Sequence, residues 1–185
     1  MRSSESERHP IYIYTGPIRS GKTTALMNGP AKTAGVAGVL TPEVNGIRKL
    51  YDLKTRTYFP FQIEDDANRS EPVVTIGRFV FYESAFARAR LILAATVQEQ
   101  PRWLIIDEIG RLELQQRGFE PVAGKIIRAH HAGHLKGDLL IVVRDTLLKE
   151  VVRHYHIQRY RILHTGDLPC LTQPESMSAP RKPKR

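Results

Sequence analysis

The sequence predicts an α/β fold, with a mainly parallel sheet held between helices in three layers. Three observations carry this. Short, wholly apolar runs recur at residues 36–40, 103–106 and 139–143, as expected of parallel strands covered on both faces. Segments with helical spacing alternate with these runs, the pattern of strand–helix–strand units. A glycine-rich stretch falls between the first strand-like run and the first helical segment.

Taken in order, residues 11–14 are apolar, β-branched and aromatic and end in Thr15-Gly16, so they read as a buried strand. A helix is expected to open near Gly21, run through Ala25, Leu26 and Met27, and end around Gly29-Pro30. Residues 36–40 give the second strand. Residues 50–53 and 57–63 flank Lys54-Thr55-Arg56 and read as an inserted β-hairpin. Residues 79–81 form a short strand, and 83–97 place Phe86, Ala87, Leu91, Ala94 and Ala95 at helical spacing. The strand at 103–106 is closed by Asp107-Glu108. A helix at 119–131 stops near Gly133, a strand follows at 139–143, a helix at 145–154 takes Asp145 as N-cap, and residues 160–163 supply the last strand.

A length of 185 residues suits one domain, expected at 10–170, after a polar, disordered start at 1–9 and before a flexible, basic, proline-bearing tail at 171–185. No apolar run approaches the ~20 residues of a membrane helix, and the first residues lack the apolar centre of a signal peptide. A soluble, cytoplasmic protein without membrane contact is expected. The single cysteine, Cys170, excludes an intrachain disulfide and a cysteine zinc site. The net charge of +9 admits polyanions such as nucleotides or RNA as partners, with plain solubility as the alternative.

Gly16-Pro17-Ile18-Arg19-Ser20-Gly21-Lys22-Thr23 has the spacing G-x-x-x-x-G-K-[ST]. Its glycines let backbone N–H groups curl inward, and the following helix points its positive end at the same phosphates. Lys22 supplies a charge for the β- and γ-phosphates, the Thr23 hydroxyl suits Mg²⁺, and Thr24 completes the nucleotide-contacting set. Asp107 closes a buried strand on the edge where ligands bind in open α/β sheets. There it suits Mg²⁺, while Glu108 is placed to accept a proton from an attacking water. Two acids in tandem favour hydrolysis over transfer to an acceptor.

Ile106-Asp107-Glu108-Ile109-Gly110-Arg111-Leu112-Glu113-Leu114 resembles the D-E-I-G-K-M-E-L signature of the small P-loop nucleoside-triphosphatases, the cancer-related nucleoside-triphosphatase type. Thr41-Pro42-Glu43-Val44 and Gly46-Ile47-Arg48 resemble that family's T-x-E-V-R and G-x-R-x-G-F stretch, and the likeness spans about 11–165. The resemblance implies a RecA-like sheet and Mg²⁺-dependent hydrolysis of several nucleoside triphosphates, ATP and GTP among them, to diphosphate and phosphate. By position it makes Lys22 and Thr23 ligands of phosphate and metal, Asp107 the metal acid, Glu108 the base, and Arg111 a catalytic cation where the family usually has Lys. Asn45 stands where Arg is common.

Two other function classes remain: a P-loop kinase acting on a small nucleoside-like acceptor, and an RNA-associated, nucleotide-dependent switch. A kinase is expected to carry an arginine-rich lid, and the stretch from Asp107 to Val143 holds only Arg111, Arg117 and Arg128. Arg144 and Arg48 are candidate phosphate contacts, with solvated positions as the alternative. His130, His131 and His134 gather at a helix end, where cations suit the dipole better than a metal site. Trp103 reads as core.

Overall fold

The computed structural model describes residues 10–64 and 71–172. The expected start at 1–9 and the tail beyond 172 lie outside the described residues. The parallel strands are β1 (Ile11–Gly16), β2 (Val36–Leu40), β8 (Trp103–Ile109), β9 (Asp138–Arg144) and β10 (Tyr160–Leu163), ordered β10-β1-β9-β8-β2 across the sheet. Numbered along the chain, that order is 5-1-4-3-2, so β9 separates the strand leading into the glycine-rich loop from the strand carrying the two acids.

Beyond β2 the sheet turns antiparallel through β4 (Ile47–Asp52), which pairs with β3 (Glu43–Val44) and with β5 (Thr57–Pro60). The expected hairpin is the β4–β5 pair, with Asp52 opposite Thr57. The β3–β4 turn is additional. Asn45 and Gly46 both take positive φ, 52° and 81°, as a two-residue hairpin turn requires. A second small sheet pairs β6 (Val73–Ile76) with β7 (Phe79–Tyr82) across Gly77-Arg78, and Gln62 bridges it to the main body opposite Phe81.

Period-two alternation sorts the strand residues into two cores. Ile11, Ile13, Val39, Leu104, Ile106, Leu139 and Ile141 face α2 (Glu83–Glu99), α4 (Val122–His131) and α5 (Leu148–His154). Tyr12, Tyr14, Leu40, Trp103, Ile105, Leu140 and Val142 face α1 (Lys22–Asn28) and the turn at Thr165–Thr172. This is the three-layer α/β arrangement expected. Trp103 is core, its ring 5.0 Å from that of Tyr12. Each fully buried Leu, Ile or Phe contributes about 1.5–3 kcal/mol relative to exposure. Phe61, Phe81 and Phe86 fasten the second sheet to α2, with centroids 4.8 and 4.9 Å from Phe61.

Three expectations on local structure change. The helix expected from residue 119 opens at Val122, because Pro121 occupies its N-cap and the residue before a proline is driven out of the helical region. Asp145 does not cap a helix. It starts a 3₁₀ turn (Asp145–Leu147) and its carboxylate accepts from the Thr146 N–H at 2.7 Å, while α5 begins after Leu147 with no side-chain cap. The strand expected at 103–106 runs on to Ile109, so Asp107 and Glu108 lie within it. The short α3 (Arg111–Leu114) follows directly.

Candidate active site

The loop from Gly16 to Gly21 joins β1 to α1 at the C-terminal edge of the sheet. Gly21 takes φ +76° just before the first helical residue, a conformation costly for side-chain-bearing residues. Lys22 is buried, and its ammonium donates to Gly16 O at 2.9 Å, Pro17 O at 2.8 Å and Ser20 Oγ at 3.4 Å. The loop residues Ile18, Arg19 and Ser20 are exposed at the rim, and Thr24 lies one residue further into α1 than Thr23.

Asp107 ties three elements together. Its Oδ2 accepts from Thr23 Oγ1 of α1 at 2.9 Å and from the Thr41 N–H, at the end of β2, at 3.1 Å. Among the described residues its Oδ1 is buried without a hydrogen-bond partner. Burial, then the neighbouring Glu108 charge, pushes the Asp107 carboxyl up to about 6, against the hydrogen bonds from Thr41 and Thr23. An orphaned buried carboxylate oxygen beside a hydroxyl is a hard-oxygen donor pair. Mg²⁺ suits such a pair, since it commonly takes one or two protein oxygens and completes its shell with water and substrate phosphate. Thr23 and Asp107 therefore fit this ion.

Glu108, next along β8, is half-buried and accepts from Arg144 Nε at 2.6 Å. The register explains the pair. Arg144 ends β9, where it lies opposite Gly16 of β1, and Val143 lies opposite Ile109 of β8. A guanidinium thus stands between the glycine-rich loop and Glu108. Sequence reading offered Arg144 only as one alternative, and its pairing with a residue 36 positions away has no local signal.

Arg111 is exposed at the start of α3, and Arg48 is half-buried on β4. Both line one cavity of about 390 Å³ with Glu108 and Arg144. Arg78, on the turn of the second sheet, lines it too and was not singled out from the sequence. Glu113 was also missed. It is buried, accepting from the Gly110 N–H at 2.8 Å and the Phe119 N–H at 3.0 Å, and so clamps the segment after Glu108. Burial pushes its carboxyl up to about 7, opposed by those two N–H groups. The histidines scatter: His130 is buried within α4, while His134 is exposed.

A family model described as NTPase matches residues 11–164. Among solved structures, the chain is similar to THEP1 from the hyperthermophile Aquifex aeolicus, with a TM-score of 0.64 at 17% identity, covering 85% of this chain and 90% of that one. It is also similar to a human cancer-related nucleoside triphosphatase, with a TM-score of 0.59 at 19% identity, covering 88% of this chain and 95% of that one. No curated protein sequence matches. Among the described residues no helix is long and apolar enough to cross a membrane.

Proposed function

The chain belongs to the NTPase family, and from that premise we propose that it hydrolyses several nucleoside triphosphates to diphosphate and phosphate with Mg²⁺. We place this reaction at the C-terminal edge of the sheet and on free cytoplasmic nucleotides. The observation that carries the proposal is the hydrogen bond from Thr23 to Asp107, which joins the lysine-bearing loop to the acidic strand in one site.

In this reading backbone N–H groups of residues 18–23 cradle the phosphates, and Lys22 exchanges its bonds to Gly16 O and Pro17 O for phosphate oxygens. Thr23 and Asp107 would hold Mg²⁺, which would supply positive charge to the phosphates. Glu108, kept in place by Arg144, accepts the proton of the attacking water. The water oxygen forms the new bond to the γ-phosphorus, the bond to the β–γ bridging oxygen breaks, and the diphosphate leaves. Arg111 lies on the same cavity and supplies positive charge as the γ-phosphoryl group comes away.

The test is phosphate release from ATP, GTP, CTP and UTP, with Mg²⁺ or EDTA, with and without RNA and candidate nucleoside acceptors. The reading expects release from more than one triphosphate, abolished by EDTA and indifferent to RNA. Label appearing on an acceptor in place of free phosphate would contradict it and favour the kinase. A rate raised tenfold or more by RNA would favour the switch.

A further inference from the structure

The cavity beside Glu108 adjoins the phosphate loop and shares Glu108, Arg111 and Arg144 with the proposed hydrolytic site. Of the loop it meets only Ile18, and its floor is Phe61, Phe81, Phe86 and Phe119. These belong to the core on the α2 and α4 side of the sheet, whereas the loop leads into α1 on the opposite side. Lys22 and Thr23, which hold the triphosphate in the proposed reaction, do not line the cavity.

Its charge is unbalanced. Four arginines line it against two carboxylates, Glu108 and Glu113. Glu108 is engaged by Arg144, and Glu113 by the N–H groups of Gly110 and Phe119. Among the described residues, Arg48 and Arg78 have no ion-pair partner. Arg78 rests over the Phe79 ring at 5.0 Å, a stacking that orients a guanidinium while leaving its N–H fork for an anion. Guanidinium forks match phosphate oxygens two at a time, and aromatic walls favour a planar ring. A volume of about 390 Å³ falls in the range of small-molecule sites.

We infer that this cavity binds a second ligand, an aromatic compound carrying a phosphate group and of nucleoside-monophosphate size, with Arg48 and Arg78 holding the phosphate. The inference rests on the loop being the triphosphate cradle. A ligand there occupies the space next to Glu108 and displaces water from it, so free-phosphate release slows when the cavity is filled.

Calorimetry of the full chain, alone and saturated with a non-hydrolysable triphosphate and Mg²⁺, tests this with AMP, GMP, CMP, UMP, phenyl phosphate and inorganic phosphate as probes. At least one nucleoside monophosphate is expected to bind the saturated protein. Arg78→Ala is expected to weaken it tenfold or more and Arg78→Lys less, while Lys22→Ala, measured without triphosphate, is expected to change monophosphate binding under twofold. Phenyl phosphate binding as well as the nucleotides assigns the site to aromatic phosphates in general. Monophosphate heat that disappears on saturation, survives unchanged in Arg78→Ala, or is matched by inorganic phosphate overturns the inference. Since the binding arm without triphosphate needs no turnover, an enzyme that binds monophosphate but releases no phosphate defeats the triphosphatase reading alone.

Discussion

Replacing Glu108 by Gln keeps the side chain's size and its hydrogen-bonding reach to Arg144 while removing its basicity. The Glu108–Arg144 pair is partly open to solvent, with side chains 21% and 33% exposed. Its loss is therefore worth about 1 kcal/mol of stability, or roughly 2–4 °C in Tm for a domain of this size. The catalytic effect is larger. A general base contributes about 10² to 10⁴ in rate, equivalent to about 2.7–5.4 kcal/mol of barrier. Phosphate release in Glu108→Gln should fall at least a hundredfold, with affinity for a non-hydrolysable triphosphate unchanged or slightly higher because a negative charge has gone. Arg144 acts through Glu108 in this account, so Arg144→Ala introduced into Glu108→Gln should cost less than about threefold further, whereas independent contributions would multiply. Full activity in Glu108→Gln beside an inactive Lys22→Ala would refute the hydrolytic mechanism and place the proton acceptor elsewhere.

Arg111→Ala should lower the rate about 10³-fold if it stabilises charge on the transferring group, more than Arg144→Ala does. Equal and mild losses in steady-state assays would mean the charge comes from another residue. Gly38→Ala should destabilise by about 1–3 kcal/mol, because φ is +117° and the new Cβ would lie 2.1 Å from Ile105 O of the adjacent strand. An unchanged urea midpoint would contradict the β2–β8 register. Glu113, raised from 4.5 to about 7 on folding, binds its proton more tightly in the native state. Stability should therefore fall as pH rises from about 4.5 to about 7, and less steeply in Glu113→Gln. Identical slopes in urea titrations would show that this carboxyl does not titrate as its burial requires.

The parallel strands were legible because burial on both faces leaves nothing but apolar residues in 36–40 and 139–143, and the glycine-rich loop because its spacing and its place between strand and helix agree. Asn45-Gly46 is a recognisable hairpin dipeptide, a signal that comparing Asn45 with the family's usual Arg passes over. Residues 73–76 gave little signal, since only Val74 is buried among them. The single turn of α3 is too short for periodicity to register. What no local pattern holds is the pairing of Glu108 with Arg144, the clamp of Glu113 on two backbone N–H groups, and the convergence of Arg48, Arg78, Arg111 and Arg144. Each depends on strand register or on a turn from a different part of the chain.

The central claim is that Lys22 serves triphosphate binding and hydrolysis at one site, and its direct test compares Lys22→Ala with the unaltered chain in two readings. Folding should persist by circular dichroism, since among the described residues the Lys22 ammonium bonds only to its own loop. Affinity for a non-hydrolysable triphosphate with Mg²⁺ should drop at least tenfold and phosphate release should vanish. A folded Lys22→Ala that binds triphosphate with undiminished affinity would show the loop to be a structural turn and contradict the account.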